Sequence, residues 1–193
     1  VSNYFEAFGI PQQLAVDVKD LEKRFYSLSR KLHPDLFARK SATEQQAALE
    51  TSAVLNDAYR VLKDPITRAL YVLKQEGFDI AEQGTKDVPP ELLEEVFELN
   101  MALEELHSGD GGAGDGGAGD GGAGDEDARK QLQSARLRFE GMRDEIDESM
   151  APLFAEWDRG HERARLDEIR ALLNRRKYIT NLIARTDEAH VSD

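Results

Sequence analysis

An imidazole and a carboxylate stand two residues apart at His33-Pro34-Asp35, joined by proline, which has no backbone N–H to donate. Two chemistries are open to such a pair. As an acid–base couple, His33 and Asp35 would need surroundings that exclude water. As a recognition corner, they would present a hydrogen-bond donor and a charged acceptor to a partner. Pro34 decides the backbone, because it pushes His33 toward extended geometry and interrupts any helix arriving from the N-terminal side. The corner is therefore expected at an exposed helix end, and it reads as a docking device. The other histidines, His107, His161 and His190, show no spacing of three or four with one another, and no nucleophile motif occurs. No enzyme is expected, and no catalytic or metal-ligating residue is assigned.

A basic amphipathic helix must position the corner. From Asp17, a plausible N-cap, Val18, Leu21, Phe25, Leu28 and Leu32 recur at spacings of three and four and form one apolar stripe. The opposite face carries Lys19, Lys23, Arg24, Arg30 and Lys31. Five bases against three acids (Asp17, Asp20, Glu22) reverse the sign of a chain whose net charge is -13. For Arg24 or Lys31 taken singly, a solvated helix face is also an adequate reading. After the corner, Ser41 and Glu44 make a capping box for a helix through Ala47, Ala48, Val54, Leu55, Ala58, Val61 and Leu62. Asp64 can cap the next helix with Pro65 at its first position, and Ile66, Ala69, Leu70 and Leu73 give it an apolar face that ends at Gly77.

Short helix, basic helix, His-Pro-Asp loop, long helix, short helix: this order resembles a J domain. Asn3-Tyr4-Phe5-Glu6, Lys31-Leu32-His33-Pro34-Asp35-Leu36-Phe37, Ser52-Ala53-Val54-Leu55-Asn56-Asp57-Ala58-Tyr59 and Asp64-Pro65-Ile66-Thr67-Arg68-Ala69-Leu70-Tyr71 are similar to the HscB-type co-chaperones of iron–sulfur cluster assembly. The resemblance implies a protein that stimulates the ATPase of a DnaK-like (HscA-type) chaperone and delivers an IscU-type cluster scaffold protein to it. It implies that His33, Pro34 and Asp35, steered by Lys23, Arg24, Arg30 and Lys31, contact the chaperone. Asn56, Tyr59 and Arg68 are expected to stabilise the helical hairpin instead. Behind this reading stand a J-domain co-chaperone with a different client and an acidic helical adaptor with no chaperone partner.

Composition narrows the rest. Charged residues make up 33% of the 193 and hydrophobic ones 40%, and no apolar run approaches the ~20 residues of a membrane span. An acidic surface repels phosphate backbones, so protein partners are expected and neither nucleic acid nor membrane is. The chain has no cysteine, which excludes disulfides and direct thiolate ligation of a cluster. No cofactor is expected. No basic segment followed by an apolar stretch marks the N-terminus, so a cytoplasmic location is the expectation.

The fold class expected is all-α: a J domain over 1–77, a linker over 78–90 containing Gly84 and Pro89-Pro90, and a three-helix bundle over 91–187. In its first helix Leu92, Val96, Leu99, Leu103 and Leu106 form a narrow core stripe. Leu93, Phe97 and Met101 lie on an adjacent face roughly 140° away, in excess of what that core requires. They either widen the buried face or form an exposed patch. The resemblance favours the patch and assigns scaffold binding to Leu93 and Phe97 with Glu98, Met101 and Glu105, although Glu94 and Met101 depart from the family's pattern. Burying Leu93 and Phe97 would contribute roughly 1.5–3 kcal/mol each, less the entropy of association, which suits a client that is handed on.

Residues 109–125 repeat Gly-Asp-Gly-Gly-Ala and are expected to be a flexible insertion. Asp110, Asp115 and Asp120 recur in it, but the repeat lacks the apolar position that lets calcium-binding turns stack. Beyond it, Leu132, Ala135, Phe139, Met142, Ile146, Ser149, Leu153 and Trp157 keep the three-four spacing, with Pro152 as an irregularity. Gly160 is the expected turn into a third helix through Leu166, Ile169, Leu173, Ile179, Leu182 and Ile183. The resemblance places Tyr178 where relatives offer an aromatic to the scaffold; a half-buried bundle tyrosine is the structural alternative.

Overall fold

The structure, a computed structural model, describes residues 3–79, 89–110 and 121–191. Every regular element among them is helical. The chain divides into two compact units, Val1–Glu82 with Ala151–Arg170 and Gln83–Met150 with Ala171–Asp193. The second unit thus lacks residues 151–170, which the linear reading placed in the C-terminal bundle.

In the first unit, α1 (Tyr4–Phe8) is capped by Asn3, whose side chain accepts the Phe5 N–H, and closed by Gly9 at φ 62°. Asp17 caps α2 (Val18–Lys31) by accepting the N–H groups of Lys19 and Asp20. Pro34 opens the short α3 (Pro34–Phe37). Ser41 and Glu44 form the expected capping box of α4 (Ala42–Lys63), and Asp64 with Pro65 starts α5 (Pro65–Gln75). Helices α1, α2, α3 and α5 all pack on α4. Phe5, Leu21, Leu55, Leu62 and Leu73 fill the core between them. Val18, read as part of the α2 stripe, is exposed, because it sits in the first turn before α2 meets a neighbour.

Phe154, Trp157, Leu166 and Ile169 extend this core from Ala151–Arg170. Phe78, expected to begin a linker, is buried beneath the guanidinium of Arg163, 4.3 Å from its ring centroid. Arg68 is buried and donates from Nε to the Leu14 carbonyl at 2.8 Å and from Nη1 to the Leu62 carbonyl at 2.5 Å. Burial above all lowers its pKa, opposed by the nearby charges of Asp64 and Asp158. These two bonds tie α5 to the loop before α2 and to the end of α4. Across the helical hairpin itself, Tyr59 of α4 stacks on Phe25 of α2 at 4.3 Å, whereas Asn56 lies exposed on α4.

The second unit begins with a single 3₁₀ turn (Pro90–Leu92) that leads into α6 (Leu93–Asp110). Its core joins Leu92, Val96, Leu99 and Ala102 to Leu132, Phe139, Ile146 and Met150 of α7 and to Leu173, Ile179 and Leu182 of α8. Helix α7 spans Gly121–Gly160 and α8 spans Arg163–Val191. Both ends of the glycine–aspartate tract are therefore helical, at 109–110 and from Gly121, each continuing a ladder already nucleated by its neighbour. Residues 111–120 and the linker residues 80–88 lie outside the described residues.

The α7 stripe departs from the expected one. Ser149 is exposed and Leu153 half-buried, while Met150 and Phe154 are buried. A strict three-four alternation drifts about 20° per heptad against a straight helix, and the buried set absorbs the drift by taking steps of four from Ile146 to Phe154. Pro152 is exposed and lies within α7 without ending it. Gly160 is the last residue of α7, and the left-handed turn falls on His161 at φ 51°. Its N–H donates to the Trp157 carbonyl at 2.6 Å, and its ring meets the Trp157 ring edge to face at 4.6 Å.

Candidate functional site

The His-Pro-Asp corner begins where α2 runs out. Leu32 closes the helix, His33 leaves in extended geometry at φ -60° and ψ 133°, and Pro34 restarts the chain as α3. His33 Nδ1 lies 3.3 Å from the Asp35 backbone N–H and 3.4 Å from an Asp35 carboxylate oxygen, so the ring is held against the start of α3. The side chains of His33 and Asp35 are 59% and 89% exposed. So the corner presents an N–H donor and a carboxylate acceptor side by side, both wet. General acid–base chemistry has no enclosure here, whereas a partner that covers the corner would strengthen both hydrogen bonds by excluding water.

Along α2 the five bases are all exposed. Arg24 is engaged, bonding Asp20 at 2.7 Å and reaching the Phe8 carbonyl at 3.4 Å. Lys23, Arg30 and Lys31 make no ion pair among the described residues, so their charge remains open to a partner. An apolar recess of about 330 Å³ between Ala7 of α1, Leu28 and Leu32 of α2 and Val54 of α4 underlies the last turn before the corner.

In the second unit, Leu93, Phe97 and Met101 project outward from α6, 55%, 65% and 55% exposed. Of the two readings of these residues, the structure takes the exposed patch. The reason lies one residue away: Leu92, Val96 and Leu99 already fill the space facing α7 and α8. Phe97 and Met101 form one wall of a groove of about 440 Å³ whose other wall is Lys130, Gln131, Ser134 and Arg138 of α7. Glu98 is tied across it to Arg138 at 2.7 Å, while Glu105 is exposed. Tyr178 is half-buried on α8 beside buried Ile179. The α7 wall escaped the sequence reading because Lys130 and Arg138 look like ordinary solvated positions on their own helix. Among the described residues no group of His, Asp and Glu is arranged to hold a metal ion, and no helix is long and apolar enough to cross a membrane.

Comparison with known proteins agrees with this architecture. The DnaJ domain family matches residues 3–71. A co-chaperone protein HscB homolog from Vibrio vulnificus is 44% identical over 108 residues, which cover 55% of this chain and 63% of that relative. The match thus spans less than two thirds of the relative's own length. Chaperone HscB from Vibrio cholerae superposes with a TM-score of 0.61 at 25% identity, covering 97% of each chain. The human co-chaperone protein HscB shares the fold with a TM-score of 0.66 at 22% identity, covering 99% of this chain and 83% of that one.

Proposed function

We propose that this chain, which belongs to the HscB-type J-domain proteins, is a co-chaperone that stimulates the ATPase of a DnaK-like chaperone and brings an iron–sulfur cluster scaffold protein to it. The observation that carries this reading is the wet His33–Asp35 corner, set at the end of a helix whose Lys23, Arg30 and Lys31 make no ion pair among the described residues. Those charges steer an acidic partner surface and lose their effect as salt rises. Asp35 then makes a charge-assisted hydrogen bond to a partner donor, and the exposed His33 ring supplies a second contact. The exposed Leu93, Phe97 and Met101 suit a separate, apolar client contact, with Glu105 as a flanking charge. The half-buried Tyr178 serves that contact less directly.

Steady-state ATP turnover of a DnaK-like chaperone, measured with the full chain added, tests the reading. Stimulation by the wild-type chain and its loss in His33→Gln are expected. A purified scaffold protein should raise turnover further, and Leu93→Ala/Phe97→Ala should remove only that increment. Stimulation retained by His33→Gln would dismiss the first half of the proposal. A scaffold increment untouched by the double substitution would leave a J-domain co-chaperone with another client.

A further inference from the structure

The outward face of α2 carries one residue that charge does not explain. Counting 100° per residue, Lys19, Lys23, Tyr26 and Arg30 fall within about 60° of arc, and the centre of the apolar stripe lies roughly 150° away. Tyr26 thus belongs to the basic face, in the middle of its length. It is 56% exposed, and the core does not use it. Its ring is nevertheless held: it leans on Phe25 at 5.7 Å and 57°, and Phe25 is itself stacked on Tyr59 of α4 at 4.3 Å and 13°. An aromatic supported on one side and open on the other loses little conformational entropy when a partner covers it.

We propose that Tyr26 is the uncharged anchor of the surface that docks the acidic chaperone, a role that rests on the co-chaperone reading above. The partner this chemistry fits is an acidic protein surface with an apolar notch among its carboxylates. The notch takes the ring, a carboxylate takes the phenolic hydrogen bond, and Lys19, Lys23 and Arg30 answer the surrounding charge. Charge complementarity sets the partner's sign, since these bases stand in a chain of net charge -13. The bases then govern the rate of encounter and its salt dependence, and Tyr26 governs how long the complex lasts.

The test titrates the full chain into a DnaK-like chaperone at low and at moderate salt and reads the concentration giving half-maximal ATPase stimulation. Tyr26→Ala is expected to raise that concentration about tenfold at both salt levels. Tyr26→Phe, which keeps the ring and drops the hydroxyl, should raise it about two- to threefold. Lys23→Ala should raise it at low salt and flatten the salt dependence. Thermal unfolding of Tyr26→Ala should match the wild type, because the side chain lies outside the core. A Tyr26→Ala protein within twofold of wild type at both salts, or one that flattens the salt dependence as Lys23→Ala does, would overturn the anchor role. The wider reading fails on a different result, unchanged stimulation by His33→Gln.

Discussion

Asp158 accepts the backbone N–H of Leu14 at 2.7 Å, across 144 residues of chain. Its second carboxylate oxygen accepts the N–H of Ala15 at 2.8 Å, while Arg68 holds the Leu14 carbonyl from the other side. The loop between α1 and α2 is thereby fixed to α5 and α7 within the first unit. Asp158→Ala should cost about 2 kcal/mol, because it removes a charged acceptor from two N–H groups. Urea unfolding followed by circular dichroism would measure it. The same bonds imply that residues 1–79 expressed alone unfold at lower urea than the intact first unit.

Arg68 is the more severe case. Arg68→Met fills much of the same volume but leaves the Leu14 and Leu62 carbonyls without their donors. A loss of about 3 kcal/mol is expected, and Arg68→Lys should recover only part of it, since a single ammonium does not reproduce the guanidinium fork. Calorimetric midpoints of the two variants, compared with wild type, decide this.

Glu44 carries a pH signature. The Ser41 hydroxyl above all, then the Ser41 N–H, hold its carboxylate below the usual range, with Lys40 adding to the effect. A pKa depressed in the folded state means that the capping box contributes fully above the unfolded value and loses its contribution as pH falls through the folded one. Ser41→Ala should raise the Glu44 pKa toward the ordinary carboxylate value. Side-chain carbonyl NMR titration of Glu44 reads the shift directly, and an unmoved titration would refute the assigned cause.

His161 occupies a left-handed turn at φ 51° that a β-branched residue resists. His161→Val should cost about 2 kcal/mol, combining backbone strain with the lost edge contact to Trp157. His161→Gly should lie within about 0.5 kcal/mol of wild type, because relief of the strain offsets the lost contact. Equal destabilisation by both substitutions would show that the ring contact, not the turn, dominates.

The 3₁₀ turn and α6 together divide their apolar residues by face. Leu92→Ala or Leu99→Ala should each cost about 2–5 kcal/mol, since both side chains are buried. Leu93→Ser and Phe97→Ser should each stay within about 0.5 kcal/mol of wild type. Chemical denaturation of the four variants checks the division without reference to any partner.

The local devices were legible in the residues themselves. Asp17, the Ser41–Glu44 pair and Asp64-Pro65 announce helix starts because each cap is decided within three or four residues. His33-Pro34-Asp35 announces a corner for the same reason, since proline geometry acts on its immediate neighbour. The first half of the expected core stripe, Leu92, Val96 and Leu99, was equally plain, whereas beyond it Ala102 is buried and Leu103 and Leu106 are only half-buried.

Tertiary structure decided what no local pattern encodes. Asp158 and Arg163 look like solvated charges in sequence, yet one fastens the Leu14 loop and the other covers Phe78. The slip of the α7 stripe onto Met150 and Phe154 depends on which neighbours wait there, and periodicity alone cannot supply that. Exposure of Leu93, Phe97 and Tyr26 is likewise a statement about where other elements are not. Backbone caps are settled by contacts a few residues long, whereas burial and exposure are sums over the whole packed chain.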